Sequence, residues 1–411
     1  MKFLYTLGIY LAQFILRIVA LFNTKIKIGV IGRATTFSKL KAKINVTDKT
    51  LWFHCASLGE YEQGLPVFKE LRKVYPSYKI VLSFFSPSGY EIRKKAPFAD
   101  VVVYLPLDTK ANARRFLDIV NPELTIFVKY EIWPNFLNEL KKRQLKAVLI
   151  SATFRKSQSF FKWYGKHTKQ ALFAFEHIFT QNENSKVLLK NIGYTNASVS
   201  GDTRFDRVSN QLVQDNTLDF ISEFKNNELC IVVGSSWAED EKLIVNYINN
   251  KANETTKFII APHNIKANQI EKLKHSISKS CVLFSKKDGK KLSNYQVLIV
   301  DTIGLLTKIY SYANIAYVGG AMGTTGLHNT LEAAVFGIPI IIGNNHEKFP
   351  EAKNMIDNKG MLSVSNQKEL NEALNLFTVN DSIRNEFGLN NINFITKNKG
   401  AVTQILNFLG S

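Results

Sequence analysis

The chain has 411 residues, more than one ordinary core fills, so two domains are expected. Hydrophobic residues make up 45% of it, enough to pack both, and a formal charge of +19 calls for an acidic partner: nucleic acid, an anionic membrane surface or a phosphorylated substrate. The lysines are scattered among αβ units with no RNA-binding signature, zinc-finger spacing or long basic tail, which counts against nucleic acid.

Phe3 to Phe22 is an almost uninterrupted apolar run, about 30 Å long as a helix and so just able to cross a bilayer. Thr6, Tyr10, Gln13 and Arg17 recur at helical spacing and are expected to form one narrow polar stripe, wet or turned to protein. An arginine at the centre of a hydrocarbon layer costs roughly 2.5–3.5 kcal/mol. A membrane-associated helix lying in the interface is therefore at least as good a reading as a full span. No small-residue cleavage site follows. Lys25, Lys27, Arg33, Lys39, Lys41 and Lys43 come next, and by the positive-inside rule they keep the remainder in the cytoplasm.

From about Lys49 short β-branched or aromatic runs alternate with helical patterns, the mark of an α/β fold with a parallel sheet. Strands are expected at Thr50 to Cys55, Lys79 to Phe85, Val101 to Leu105, Leu124 to Val128, Ala147 to Ser151, His177 to Thr180 and Ala197 to Ser200. Ligands in such folds gather at the carboxyl ends of strands. At the first end, Ser57-Leu58-Gly59-Glu60 opens a helix. Glu60 there is either a base for a substrate hydroxyl or an acid complementing the helix dipole. At the second, Ser86-Pro87-Ser88-Gly89 binds a phosphate or caps its helix. At the fourth, Glu131 closes a hydrophobic strand, where an acid needs a partner or a task. Gly201-Asp202-Thr203-Arg204-Phe205-Asp206 ends the last strand with a cation. Cys55, Cys230 and Cys281 lie far apart in apolar runs and read as reduced core residues.

The polar segment Ser209 to Thr217 is the expected domain boundary. Beyond it, strands are expected at Leu229 to Val233, Phe258 to Ala261, Gln296 to Val300, Ile315 to Val318 and Pro339 to Ile342. The stretch from Gly319 through Gly323, Gly326, His328 and Glu332 to Gly343 reads as strand, glycine-rich loop, a short helix opening at Asn329 or Thr330, and strand. Glycines and a helix start make a cradle for a phosphate, with Glu332 placed to accept hydrogen bonds from a ribose; the plainer reading is an ordinary αβ connection. No tight Asp-x-Asp or His/Cys cluster marks a metal site. Two Rossmann-like domains facing a cleft, with a nucleotide cradle in the second, describe the GT-B glycosyltransferase architecture. The expected layout is a membrane-associated helix (1–24), an acceptor domain (25–208), a linker (209–217), a nucleotide-sugar domain (218–380) and terminal helices (381–411) that pack back on the first domain.

As an ordered set these motifs resemble the Kdo transferases, which move 3-deoxy-D-manno-octulosonic acid from CMP-Kdo onto lipid A precursors. The matching residues are Ser57-Leu58-Gly59-Glu60, Ser86-Pro87-Ser88-Gly89, Glu131-Ile132-Trp133-Pro134-Asn135, Gly201 to Asp206, Asp301-Thr302-Ile303-Gly304 and His328-Asn329-Thr330-Leu331-Glu332. The resemblance implies that Glu60 is the general base and that Glu131 and Arg204 stabilise the transition state. It also implies that Pro262, His263, Gly304, Leu305, Leu306, Asn329, Thr330, Leu331 and Glu332 contact the CMP-sugar. Ser57, Gly59, Ser86, Ser88 and Gly89 are then candidates for acceptor or phosphate contact. CMP-Kdo is a substrate, no separate cofactor is implied, and the reaction inverts the sugar. The implied setting is the cytoplasmic face of the inner membrane, with a lipid A precursor and an anionic surface as partners. Two departures stand out: Arg204 where the family usually has lysine, and Asn264 where an arginine often follows the histidine, with Lys266 or Lys348 as replacements. A UDP-sugar lipid glycosyltransferase and a non-catalytic nucleotide-sugar binding protein remain as alternatives.

Overall fold

A computed structural model describes residues 2–410. It divides into two compact units, residues 1–207 with 399–411, and residues 208–398. The first is built on β1 (Thr50–Cys55), β2 (Lys79–Phe84), β3 (Val101–Tyr104), β4 (Leu124–Val128), β5 (Lys146–Ala152), β6 (His177–Thr180) and β7 (Ala197–Val199). The second carries β8 (Cys230–Ser236), β9 (Lys257–Pro262), β10 (Cys281–Leu283), β11 (Val297–Ile299), β12 (Ile315–Val318), β13 (Ile340–Gly343) and β14 (Met361–Val364).

All pairings are parallel, in the orders β3-β2-β1-β4-β5-β6-β7 and β10-β11-β9-β8-β12-β13-β14. Parallel strands need crossovers, and helices on both faces bury the sheet completely. That is why β1 reads Thr-Leu-Trp-Phe-His-Cys without alternation: every one of its residues is buried. On one face Trp52 packs with Phe116, Phe127 and Phe136; on the other Phe53 stacks on Phe68. Strand order reverses between β1 and β4 in the first sheet and between β8 and β12 in the second, where β10 also lies outside β11 at the edge. Such a switch point leaves a crevice at the carboxyl ends of the two diverging strands, because their following chains go to opposite sides. Cys55 and Cys230 are buried and Cys281 partly so, all three as free thiols.

Several expectations need correction. The helix expected from Asn329 or Thr330 spans only Leu331–Ala334, with Thr330 as its N-cap. The terminal helices do not stay together: Asp381–Asn398 belongs to the second unit, and Ala401–Leu409 packs against the Leu58–Val74 helix of the first. The expected linker includes a 3-10 turn, Asn210–Val213. In the first helix, Lys2–Val19, the half-buried side runs through Tyr5, Thr6, Ile9, Ala12, Gln13 and Leu16, so Tyr10 and Arg17 lie outside the protein-facing stripe. Tyr5 ties this helix down by donating to Asp108 Oδ2 at 2.6 Å. No described helix is long and apolar enough to cross a membrane.

Candidate functional site

In the first unit the switch point is furnished with acids. Glu60 lies in the first turn of the Leu58–Val74 helix that follows β1, and it is only 7% exposed. Its Oε2 accepts the Ser57 N–H at 3.0 Å and the Ser57 hydroxyl, a reciprocal cap that fixes the side chain. Among the described residues nothing hydrogen-bonds to Oε1. Glu131 follows β4. Lys129, the first residue past that strand, has φ +70°, a left-handed conformation that a lysine rarely adopts, and the chain turns there. Glu131 is 8% exposed and its Oε2 accepts the Trp133 indole N–H at 2.9 Å.

The two carboxylates share a neighbourhood. Both push up the Tyr130 hydroxyl and the Cys55 thiol, each of which burial has already raised. Arg204 is held by Asp202, whose Oδ2 accepts the Arg204 Nε–H at 2.8 Å and whose Oδ1 accepts its backbone N–H at 2.9 Å. Asp202 Oδ1 also receives the Gln63 amide at 3.4 Å, and the Thr203 hydroxyl donates to the Gln63 carbonyl. Gln63 is one turn beyond Glu60 on the same helix, so the arginine's mount and the acid share a face. Ser86 joins them through its N–H, which donates to the Ala56 carbonyl at 2.7 Å, and a Cβ on Gly89 would come within 3.0 Å of the Ser57 backbone. Ser86 caps the Pro87–Arg93 helix by accepting the Ser88 N–H. Ser57, Gly59, Glu60, Ser86, Ser88, Gly89, Glu131 and Arg204 therefore all border the carboxyl ends of β1, β2, β4 and β7.

The second switch point is furnished with rings. Trp237, just past β8, stacks on His263, just past β9, with centroids 4.5 Å apart and planes at 19°. His263 meets His328 at 4.5 Å, and the Trp237 indole donates to His328 Nε2 at 3.1 Å. Burial and the neighbouring His263 push the His328 imidazole down to about 4, and burial lowers His263 as well. The indole bond leaves Nδ1 to carry the proton of the neutral His328 ring. Beneath the rings Asp240, fully buried, accepts the Trp237 and Gly320 N–H groups, each at 2.9 Å, and the Tyr317 hydroxyl at 2.8 Å.

The glycine-rich loop is spent mostly on itself. A Cβ on Gly319 would lie 2.5 Å from the Ser235 carbonyl oxygen, and one on Gly320 would lie 2.1 Å from that of Gly326. These glycines are demanded by backbone packing as much as by any ligand. Glu332 Oε1 accepts from Asn329 Nδ2 at 3.1 Å, and Asn329 Oδ1 accepts the Leu331 N–H at 3.2 Å. Thr330 is buried, its hydroxyl on the Met355 sulfur. The segment of Gly304, Leu305 and Leu306 reaches the same place from below: a Cβ on Gly234 would meet the Tyr310 hydroxyl and Leu306, and Glu332 raises Tyr310 further than burial alone. Pro262 lines a separate cavity of about 560 Å³ with Trp237, Glu241, Lys242, Asn264 and Lys272. Lys266 and Lys348 are exposed, and neither forms an ion pair among the described residues. Sequence reading places Asp202 in a motif without a role, and gives none to Gln63, Trp237 or Asp240. Asp240 had a visible signal, an acid three residues after Trp237 at a helix start.

Two Rossmann-like units, each with its residues of interest at the switch point, define the GT-B class of fold. A putative UDP-N-acetylglucosamine 2-epimerase from Listeria monocytogenes shares that fold, with a TM-score of 0.60 at 12% identity over 88% of this chain and 95% of its own. The family described as 3-Deoxy-D-manno-octulosonic-acid transferase (kdotransferase) matches residues 31–207. Relatives with that activity in their names extend the likeness: one from Haemophilus influenzae is 27% identical over 373 residues, 87% of this chain and 86% of its own. One from Rickettsia felis is 28% identical over 378 residues, covering 90% and 80%. Over most of its length the chain is thus similar to Kdo transferases.

Proposed function

We propose that the protein transfers Kdo from CMP-Kdo to a hydroxyl of a lipid A precursor, with inversion, in lipopolysaccharide biosynthesis. The observation that carries this reading is the pair Glu60 and Glu131 at the first switch point, inside the segment that matches the family. Glu60 Oε1 takes the proton of the acceptor hydroxyl while that oxygen bonds to the anomeric carbon of Kdo; the bond from that carbon to the CMP phosphate breaks, and CMP leaves with the electron pair. One displacement with one base inverts the centre. Glu131 and Arg204 stabilise the charge that develops on the sugar and its carboxylate. Gly304 to Leu306, Asn329 to Glu332, Pro262 and His263 hold the donor in the second unit, where the neutral rings suit a nucleobase and the Asn329–Glu332 pair suits a ribose.

The acceptor reading draws support from the first helix, whose outer side shows Leu4, Leu7, Leu11, Phe14 and Ile18 to solvent. Beside it a cavity of about 270 Å³ is lined by Thr6, Lys110, Arg114, Asn135, Lys142 and His167. Apolar area next to cations suits a phosphorylated lipid, so the protein works at the cytoplasmic face of the inner membrane with this helix in the interface. The test is incubation of purified protein with a lipid A precursor and either CMP-Kdo or UDP-sugars, followed by mass spectrometry of the lipid. A mass gain of one or more Kdo units is expected; transfer from UDP-sugars alone overturns the reading.

A further inference from the structure

Behind the two carboxylates lies a polar chain to which no role has been given. His54, in β1, is fully buried and shares a sheet face with Trp52. Its Nδ1 is 2.9 Å from Ser83 Oγ, the residue opposite it in register on β2. Ser83 also accepts the Trp52 indole N–H, at 2.7 Å. With that lone pair taken, the single serine proton is free for the closest acceptor, which is Nδ1; the Phe53 carbonyl is farther, at 3.4 Å. The tautomer that fits these bonds carries its ring proton on Nε2.

Nε2 faces Glu131 Oε2 at 3.4 Å, longer than an ordinary hydrogen bond, and makes no hydrogen bond of its own. The rest of the ring is walled by Trp52, Phe127 and Trp133. A phenylalanine fits an aromatic wall without leaving a buried N–H unmatched, so packing alone does not account for histidine here. The other titratable groups around Glu131 are Glu60, Cys55 and Tyr130, with Arg155 acting on Tyr130. Trp133 and His54 both address Oε2.

We infer that His54 is a positioning residue for Glu131: Trp52 and Ser83 fix its tautomer, and its Nε2–H, 3.4 Å from Oε2, orients the carboxylate. This rests on the role proposed for Glu131. The test compares His54→Phe, which keeps a ring and removes both nitrogens, with His54→Gln, whose amide N–H reaches about as far as Nε2. With CMP-Kdo and a lipid A precursor, His54→Phe should lower kcat roughly ten- to a hundredfold, the range usual for a supporting partner, with KM for CMP-Kdo little changed. His54→Gln should recover most of the lost kcat.

Unchanged kcat in His54→Phe, or equal losses of kcat in both variants, overturn the inference. Histidine nitrogen NMR of the wild-type protein reads the tautomer independently of any variant's folding: Nε2–H is expected, with the preference weakened in Ser83→Ala, and an Nδ1–H tautomer overturns it. Glu131→Gln is assayed alongside. If that variant keeps full turnover, the role of Glu131 fails; if it is slow while His54→Phe is normal, only the positioning of Glu131 by His54 fails.

Discussion

At the switch point of the first sheet stand two buried carboxylates and a clamped arginine; at that of the second stand an indole, two imidazoles kept neutral and an asparagine–glutamate pair. The scaffolds are nearly the same, seven parallel strands with a central switch point, and differ in the edge order of β10 and β11. The difference lies in what the strand-end loops present. Acids with one oxygen engaged and the other open suit proton removal and developing positive charge. Flat neutral rings with oriented hydrogen-bonding groups suit a ligand that is held and released without bond-making. A single fold thus supplies one frame twice, and the side chains at the reversal divide the labour.

The sharpest way to break this comparison is Glu60→Gln. Turnover should fall roughly 10²- to 10⁴-fold while calorimetric affinity for CMP-Kdo stays the same; undiminished turnover would take proton removal away from the first unit. Next comes Arg204→Ala, for which a loss of about a hundredfold in kcat is expected. Arg204→Lys should lose less, because it keeps the charge while giving up the fork on Asp202. Steady-state kinetics of the pair separate charge from shape. On the other side, Asn329→Ala should weaken donor binding about five- to tenfold, the worth of one hydrogen bond near 1 kcal/mol, and leave kcat nearly alone. A fall in kcat with no change in donor affinity would put reaction chemistry into the second unit.

The smallest effect is on stability. The His328 imidazole is lowered from its ordinary 6.5 to about 4. The unfolded chain therefore binds a proton below about pH 6.5 that the folded second unit refuses, so stability is complete above that value and declines as pH falls towards 4. His328→Gln should flatten that part of the curve of Tm against pH. An identical curve would mean that other groups set the acid slope.

Much of this was legible in the chain. The central strands announce themselves because burial on both faces removes alternation, and a run such as Ile340-Ile341-Ile342 admits little else. β10 and β14 escaped notice, being three- and four-residue edge strands beside lysines and asparagines. Glu60 and Glu131 could be suspected from their positions at strand ends, but the contacts that immobilise them could not. The Asp202 fork on Arg204 joins neighbours in sequence, whereas its link to Gln63 spans 139 residues, a closeness only the fold creates. The glycines of the cradle also mark a tight backbone, and the tightness is mostly against Ser235 and the loop itself.

The parting of the two terminal helices has a consequence for how the chain is made. Asp206 accepts the N–H groups of Gly400 and Ala401 at 2.9 and 3.1 Å, and Ile405 is wholly buried in the core that holds Phe68 and Leu71. Those two residues belong to the helix that carries Glu60. During synthesis the whole of the second unit emerges before Ile405 does. The first unit is thus finished only after the second has been made, and its acid-bearing helix waits with an open flank until the helix Ala401–Leu409 arrives.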